Sequence, residues 1–269
     1  MKILFSPSET KSALKTHGVL EEKSLVFPYL YEKRHIVLKH YQSLLDTKNI
    51  EKLQILFGIK DEAKILLYAT RNIFDASTCK AILRYSGIAY DHLDFASLDQ
   101  NAQTYLEKHT MIFSNLFGPL LAGDLIPEYK LQQGESLDGF KTESFYKEHF
   151  SDAIDAWIGN ESVLDLRAGF YEKFYTLKRP YVTMKFLKNG KVVSHFAKAY
   201  RGEVLRQIAI HQPHDEKELG EIHFKGLHIH EIITQKLKRE YENSKSYCNG
   251  QLAKCAMQKR HAFLICGRS

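Results

Sequence analysis

The sequence predicts an α/β protein of the α+β kind: a mixed β-sheet with surrounding helices, a helix–hairpin–helix element and a positively charged cleft. Three observations predict it. Short apolar strand-like runs alternate with longer helical patterns, an Asn-Gly pair joins two strand-like runs late in the chain, and positive charge gathers in an acid-free stretch. At 269 residues, with 44% hydrophobic and 26% charged residues, the chain can bury a substantial core and is globular rather than disordered. No apolar run approaches the length of a membrane span, so no membrane partner is expected.

The opening Met1-Lys2-Ile3-Leu4-Phe5 reads as a strand that ends in a loop at Ser6-Pro7. It is too short before Pro7 to serve as a secretory signal. Helical spacing of apolar residues follows at 32–45 and 61–73, with a shorter helix expected at 78–85. Residues 111–115 are apolar enough for a central strand, 151–158 support a helix, and 163–166 suggest a short strand. Strands at 181–187 and 192–196 flank Asn189-Gly190, a pair suited to a two-residue turn because both positions tolerate positive φ. That turn would set Phe186 opposite Val193 and Lys185 opposite Ser194. Helices are expected at 198–210, at 230–243 and near 252–259. One domain at 1–245, including a helix–hairpin–helix-like segment at 48–73, and a basic tail at 246–269 is the simplest organisation.

The net charge of +6 is unevenly placed. Between Glu172 and Glu203 there is no acid, yet Lys173, Lys178, Arg179, Lys185, Lys188, Lys191, Lys198 and Arg201 are present. After Glu242 five more cations follow without an acid, so these two stretches carry +13 and the rest of the chain −7. Charge divided in this way makes an anion-attracting face. The plain alternative is a solvated lysine surface.

Within 53–63, the pattern Leu53-x-x-Leu56-x-Gly58-Ile59-x-x-x-Ala63 is that of a helix–hairpin–helix. Gly58 permits the reversal, and the start of the second helix can offer backbone N–H groups to a phosphate without reading a base. Lys60 takes the place of a second glycine and adds a cation, while Asp61 and Glu62 compete with phosphate there. A DNA-contacting hairpin and a purely structural turn are equally open. On the helix at 198–210, Lys198, Arg201 and Arg206 share one broad side, with Gly202 allowing close approach. They can clamp a phosphate or make surface salt bridges.

The loop from Ser6 to Lys11 follows a strand and carries hydroxyls, Glu9 and Lys11, but lacks the glycines of a phosphate loop. Asp165, Arg167 and Glu172 follow another strand and could share a cleft with it. Glu9 and Asp165 are therefore the candidate catalytic pair, for metal or proton work. The alternative, and the preferred one, is that they hold Lys11 and Arg201 in place. Four cysteines, Cys79, Cys248, Cys255 and Cys266, are too few and too scattered for a disulfide framework and fit a reducing cytoplasm. His228-x-His230 and the late cysteines are poor metal signatures, so neither a metal nor a cofactor is expected.

Several separated segments, in order, carry a family resemblance. They are Ile3-Leu4-Phe5-Ser6-Pro7-Ser8-Glu9-Thr10-Lys11, Ala81-Ile82-Leu83-Arg84-Tyr85-Ser86-Gly87-Ile88-Ala89-Tyr90, Ser114-Asn115-Leu116-Phe117-Gly118-Pro119-Leu120, Asp124-Leu125-Ile126-Pro127-Glu128-Tyr129-Lys130-Leu131, Val163-Leu164-Asp165-Leu166 and Ala197-Lys198-Ala199-Tyr200-Arg201-Gly202. Across about residues 1–235 the chain resembles the bacterial YaaA peroxide-stress family, also called UPF0246 or domain of unknown function 328. The resemblance implies hydrogen peroxide resistance, limitation of intracellular iron, a helix–hairpin–helix, a basic cleft and DNA binding. Carried over, the hairpin is 53–63 and the cleft involves Lys11, Lys185, Lys198, Arg201 and Arg206. Asp165 stands where many relatives have asparagine, Arg167-Ala168-Gly169 replaces a small-residue and serine pattern, and Lys130 replaces a common arginine. The expected anion-contacting set is thus Lys11, Gly58, Lys60, Lys185, Lys198, Arg201 and Arg206. The expected partner is duplex or junction DNA. The competing function is an enzyme acting on a nucleotide, nucleobase or phosphorylated small molecule, with a small anionic ligand in the same cleft.

Overall fold

The computed structural model describes residues 1–188, 191–192, 197–224, 227–235 and 259–267. The first strand, β1 (Lys2–Phe5), is buried along its whole length, as expected of a strand covered on both faces. A helical insertion follows: α1 (Tyr31–Asp46), α2 (Ile50–Phe57) and α3 (Glu62–Ala69). Then come β2 (Thr78–Lys80), α4 (Ala81–Arg84), α5 (Ile88–Leu93), α6 (Gln100–His109), β3 (Thr110–Ser114), β4 (Gly118–Leu121) and β5 (Leu125–Pro127). The second half runs α7 (Thr142–Ile158), β6 (Val163–Asp165), β7 (Val182–Lys188), β8 (Lys191–Val192), α8 (Ala197–His211), α9 (Glu216–Glu221), β9 (Leu227–Gln235) and β10 (Lys259–Gly267).

The main sheet has the order β4-β3-β1-β6-β7-β10-β9, with β8 beside the end of β7. Strands β3, β1, β6, β7 and β10 run parallel, and β4, β8 and β9 are antiparallel to their neighbours. The mixed α/β architecture expected from the sequence is present. A separate pair, β2 with β5, makes a second small sheet. Leaving β1 the chain reaches β3 on one side, and leaving β6 it reaches β7 on the other. The crevice between the carboxyl ends of β1 and β6 is therefore a topological switch point, the place where open α/β sheets bind ligands.

Helices α2 and α3 pack together around the turn at 58–61. Gly58 ends α2 with φ +64°, its N–H reaching the carbonyls of Gln54 and Ile55, a left-handed cap that a residue with a Cβ tolerates poorly. A Cβ there would also collide with the Gln132 side chain. Asp61 caps α3 by accepting the Lys64 N–H at 3.1 Å.

Some expectations change. Residues 78–85 are not one helix: Thr78, Cys79 and Lys80 pair with β5, and the helix begins only at Ala81. Thr78 is fully buried and bonds the carbonyl of Gly18, so pairing overrides the helical pattern. The expected helix at 230–243 begins instead in a strand, since 227–235 form β9. Its Ile229, Ile232 and Ile233 favour extended backbone, and a short apolar run does not separate the two states by spacing. The remainder of that segment, 236–243, and most of the helix expected near 252–259 lie outside the described residues. Lys259 starts β10, which pairs in parallel with β7. Leu187 pairs with Val192 and Lys188 with Lys191, the register expected for the hairpin, while Asn189 and Gly190 lie outside the described residues. Helix α7 starts nine residues before the expected 151, because Tyr146, Phe150 and Ile154 repeat at four-residue spacing against the core.

Candidate anion-binding site

Residues 6–10 leave the end of β1 and meet α5, the start of α8, and Ala168 and Tyr171 beyond β6. Together they enclose a cavity of ≈ 270 Å³ at the switch point. Its lining includes Ser6, Ser8, Glu9, Gly87, Tyr90, Ala168, Tyr171, Lys198 and Arg201. The loop is held by local bonds. The Ser6 hydroxyl accepts the Ala168 N–H at 2.8 Å, tying β1 to β6, and Tyr90 donates its hydroxyl to the Ser6 carbonyl at 2.9 Å. Gly87, at φ +97°, lets Ser8 and Thr10 pack against its backbone.

Lys198 and Arg201 lie one helical turn apart on α8 and converge on this cavity. Among the described residues neither makes a hydrogen bond or an ion pair. Lys198 is exposed and Arg201 half-buried. Burial pushes the Arg201 guanidinium below its ordinary value, and the Asp165 carboxylate works in the opposite sense. The approach of α8 depends on Gly202: a Cβ there would lie 2.0 Å from the Ala89 carbonyl oxygen of α5.

The other candidate residues are differently placed. Asp165 is 5% exposed and engaged by Arg167, whose Nε and Nη2 donate to its two oxygens at 2.9 and 2.7 Å. Arg167 also donates to the Tyr171 and Tyr175 carbonyls and lies 4.7 Å from the Phe113 ring centre. Asp165 and Arg167 thus form one buried ion pair. Glu9 accepts the Lys130 ammonium at 3.1 Å and the Gln133 N–H at 2.6 Å. Both carboxylates thus have protein partners. Arg206 closes the end of α5, donating to the Leu93 and Asp94 carbonyls at 2.9 Å. Gly58 and Lys60 line a separate shallow groove with Gln132 and Glu135. Lys185 sits on β7, paired with Leu264, and its side chain lies outside the described part.

Lys11 lies beneath the loop rather than in the cavity. Its ammonium donates to the Ser8 carbonyl at 3.2 Å and sits 4.2 Å from the Tyr129 ring centre. Burial lowers it to about 7, against the pull of Glu9. The unfolded lysine holds its proton to about pH 10.4, so between pH 7 and that value the unfolded chain binds more protons and folding stability rises with pH. Below pH 7 both states are protonated and this contribution is constant. Urea unfolding across pH 7 to 9.5 should therefore show the wild type gaining stability on Lys11→Met. Parallel curves would contradict this placement of Lys11.

Comparison with known proteins gives this geometry a family. The model of the family described as "Peroxide stress protein YaaA" matches residues 1–232, covering both strands and all the helices that build the cavity. The chain belongs to this family. An uncharacterized protein from Campylobacter jejuni is 47% identical over 240 residues, covering 89% of this chain and 97% of that protein. A UPF0246 protein of Corynebacterium glutamicum is 34% identical over 218 residues, covering 78% and 85%. One from Streptomyces coelicolor is 29% identical over 215 residues, covering 77% and 82%. The YaaA segments quoted from the sequence supply most of the cavity wall, from Ser6 through Tyr90 to Arg201. Tyr171 and Gln133 lie outside those segments, and no local pattern in the sequence pointed to them. Among the described residues, no helix is long and apolar enough to cross a membrane.

Proposed function

We propose that this YaaA-family chain acts in the peroxide-stress response by binding DNA, holding backbone phosphate at Lys198 and Arg201. One observation carries this reading. Lys11, Lys130, Arg167 and Arg206 are all engaged by protein oxygens, whereas Lys198 and Arg201 are without such partners among the described residues. Two cations converging without internal partners favour an anionic ligand. The turn at 58–61 is the second contact, carried by exposed Lys60, because the Asp61 carboxylate already occupies the start of α3. In this reading, DNA so covered is less open to iron-dependent damage.

Lys198→Ala and Arg201→Ala should each weaken binding of a labelled duplex about tenfold, the worth of a charge-assisted hydrogen bond, and Lys60→Ala should weaken it less. Affinities unchanged in the first two variants would sink this placement. The enclosure of the cavity favours a second reading, an enzyme acting on a nucleotide, nucleobase or phosphorylated small molecule. Turnover of such a compound, lost in Arg201→Ala while duplex binding stays unchanged, would decide for it.

A further inference from the structure

We infer that the cavity between the ends of β1 and β6 receives one nucleotide unit at a time, its phosphate on Arg201 and Lys198 and its sugar and base against the wall behind them. This rests on the phosphate reading of Lys198 and Arg201 and narrows the ligand class.

The donors at the mouth suit a phosphate monoester. Besides the two cations, the Ser6 and Ser8 hydroxyl oxygens each accept a backbone N–H, from Ala168 and Thr10, and keep their own hydrogens to donate. Four donors suit the three oxygens of a phosphate monoester better than the two of a carboxylate. The site also tolerates the charge. Among the described residues the one carboxylate lining it, Glu9, is already held by Lys130 and the Gln133 N–H, and a phosphate monoester near pH 7 carries about −1.5 to −2.

Tyr171 points independently to a ligand. It is 4% exposed and lines the cavity, yet its hydroxyl makes no hydrogen bond among the described residues. The hydroxyl oxygen is not itself buried, so it reaches the open space of the cavity, where a polar group of a bound molecule can pair with it. Neighbouring Phe5, Ile88, Ala89 and Ala168 give an apolar wall suited to a sugar and a flat base rather than to a second charged group. The volume agrees. A cavity of ≈ 270 Å³ corresponds to about nine waters of liquid volume, more than an isolated phosphate fills and far too little for a duplex. A nucleotide free in solution and a 5′-phosphorylated unit at the end of a strand present the same phosphate monoester.

Calorimetry on the full chain tests this with adenosine 5′-monophosphate, inorganic phosphate, and a 5′-phosphorylated single strand. Adenosine 5′-monophosphate should bind at least tenfold tighter than inorganic phosphate. Arg201→Met should weaken it tenfold or more, and Tyr171→Phe, which keeps the ring packing, severalfold with an unchanged Tm. Competition between the strand and the mononucleotide would assign the unit to a strand end, and binding of the mononucleotide alone to a free metabolite; both outcomes support the inference. Equal affinity for adenosine 5′-monophosphate and inorganic phosphate would overturn it, as would a Tyr171→Phe variant that binds the mononucleotide like wild type. Duplex binding that needs Arg201 but is indifferent to saturating mononucleotide would overturn the inference and leave the DNA reading standing. Mononucleotide binding without any duplex binding would do the reverse.

Discussion

Asp165→Ala is expected to cost about 3–5 kcal/mol of folding stability, the loss typical of breaking a buried ion pair from one side. The reason is what remains. Arg167, 6% exposed, would keep its charge beside Phe113 with only the Tyr171 and Tyr175 carbonyls for partners. Exchanging both members for apolar residues removes the stranded charge as well, so Asp165→Leu with Arg167→Met should recover a large part of the loss. Guanidinium unfolding of the three proteins measures this directly. A folded, stable Asp165→Ala would mean that the bidentate pair does not hold the loop after β6, and would return Asp165 to the list of candidate chemical groups.

The second large effect is expected at Gly202, where two physical terms oppose each other. In the middle of a helix, alanine is better than glycine by about 1 kcal/mol, so propensity alone makes Gly202→Ala stabilising. The added Cβ would lie 2.0 Å from the Ala89 carbonyl oxygen, a backbone atom that no side-chain rotation can move. Overpacking of this kind costs about 1–3 kcal/mol, and separating α8 from α5 also displaces Arg201, the preceding residue. Gly202→Ala should therefore lower Tm and weaken duplex binding together. Gly202→Val should do both more severely. A rise in Tm for the alanine variant would show that α8 does not cross α5 this closely.

Much of this arrangement was legible in the sequence, for identifiable reasons. The strands β1, β3, β6 and β7 are short apolar runs with clear ends, and α1 and α8 have long helical spacing. Lys198 and Arg201 stood out because the acid-free stretch at 173–202 ends in a helix, where spacing fixes their common face. What was hidden depends on contacts between distant segments. Nothing near Thr78 announces that it pairs with Pro127, or that β9 is a strand rather than a helix. Nor does local pattern distinguish a free carboxylate from an engaged one. Glu9 is taken up by Lys130 and Gln133, more than a hundred residues away in the chain. The partner of Asp165 is only two residues distant, but the bidentate geometry depends on the turn after β6. The cations expected in one cleft also separate among the described residues: Lys11 supports the loop and Arg206 caps α5, leaving Lys198 and Arg201 at the cavity, while the Lys185 side chain lies outside the described part.

The proposed anion-binding surface is centred on Lys198 and Arg201, and its salt dependence tests it most directly. For duplex DNA, the logarithm of the binding constant falls with the logarithm of salt by about 0.9 for each phosphate neutralised. If Lys198 and Arg201 together neutralise one backbone phosphate, the double variant Lys198→Ala, Arg201→Ala should show a slope shallower by about 0.9, with an unchanged Tm. The same slope in wild type and double variant would contradict the account and move the anion-binding surface away from the cleft between β1 and β6.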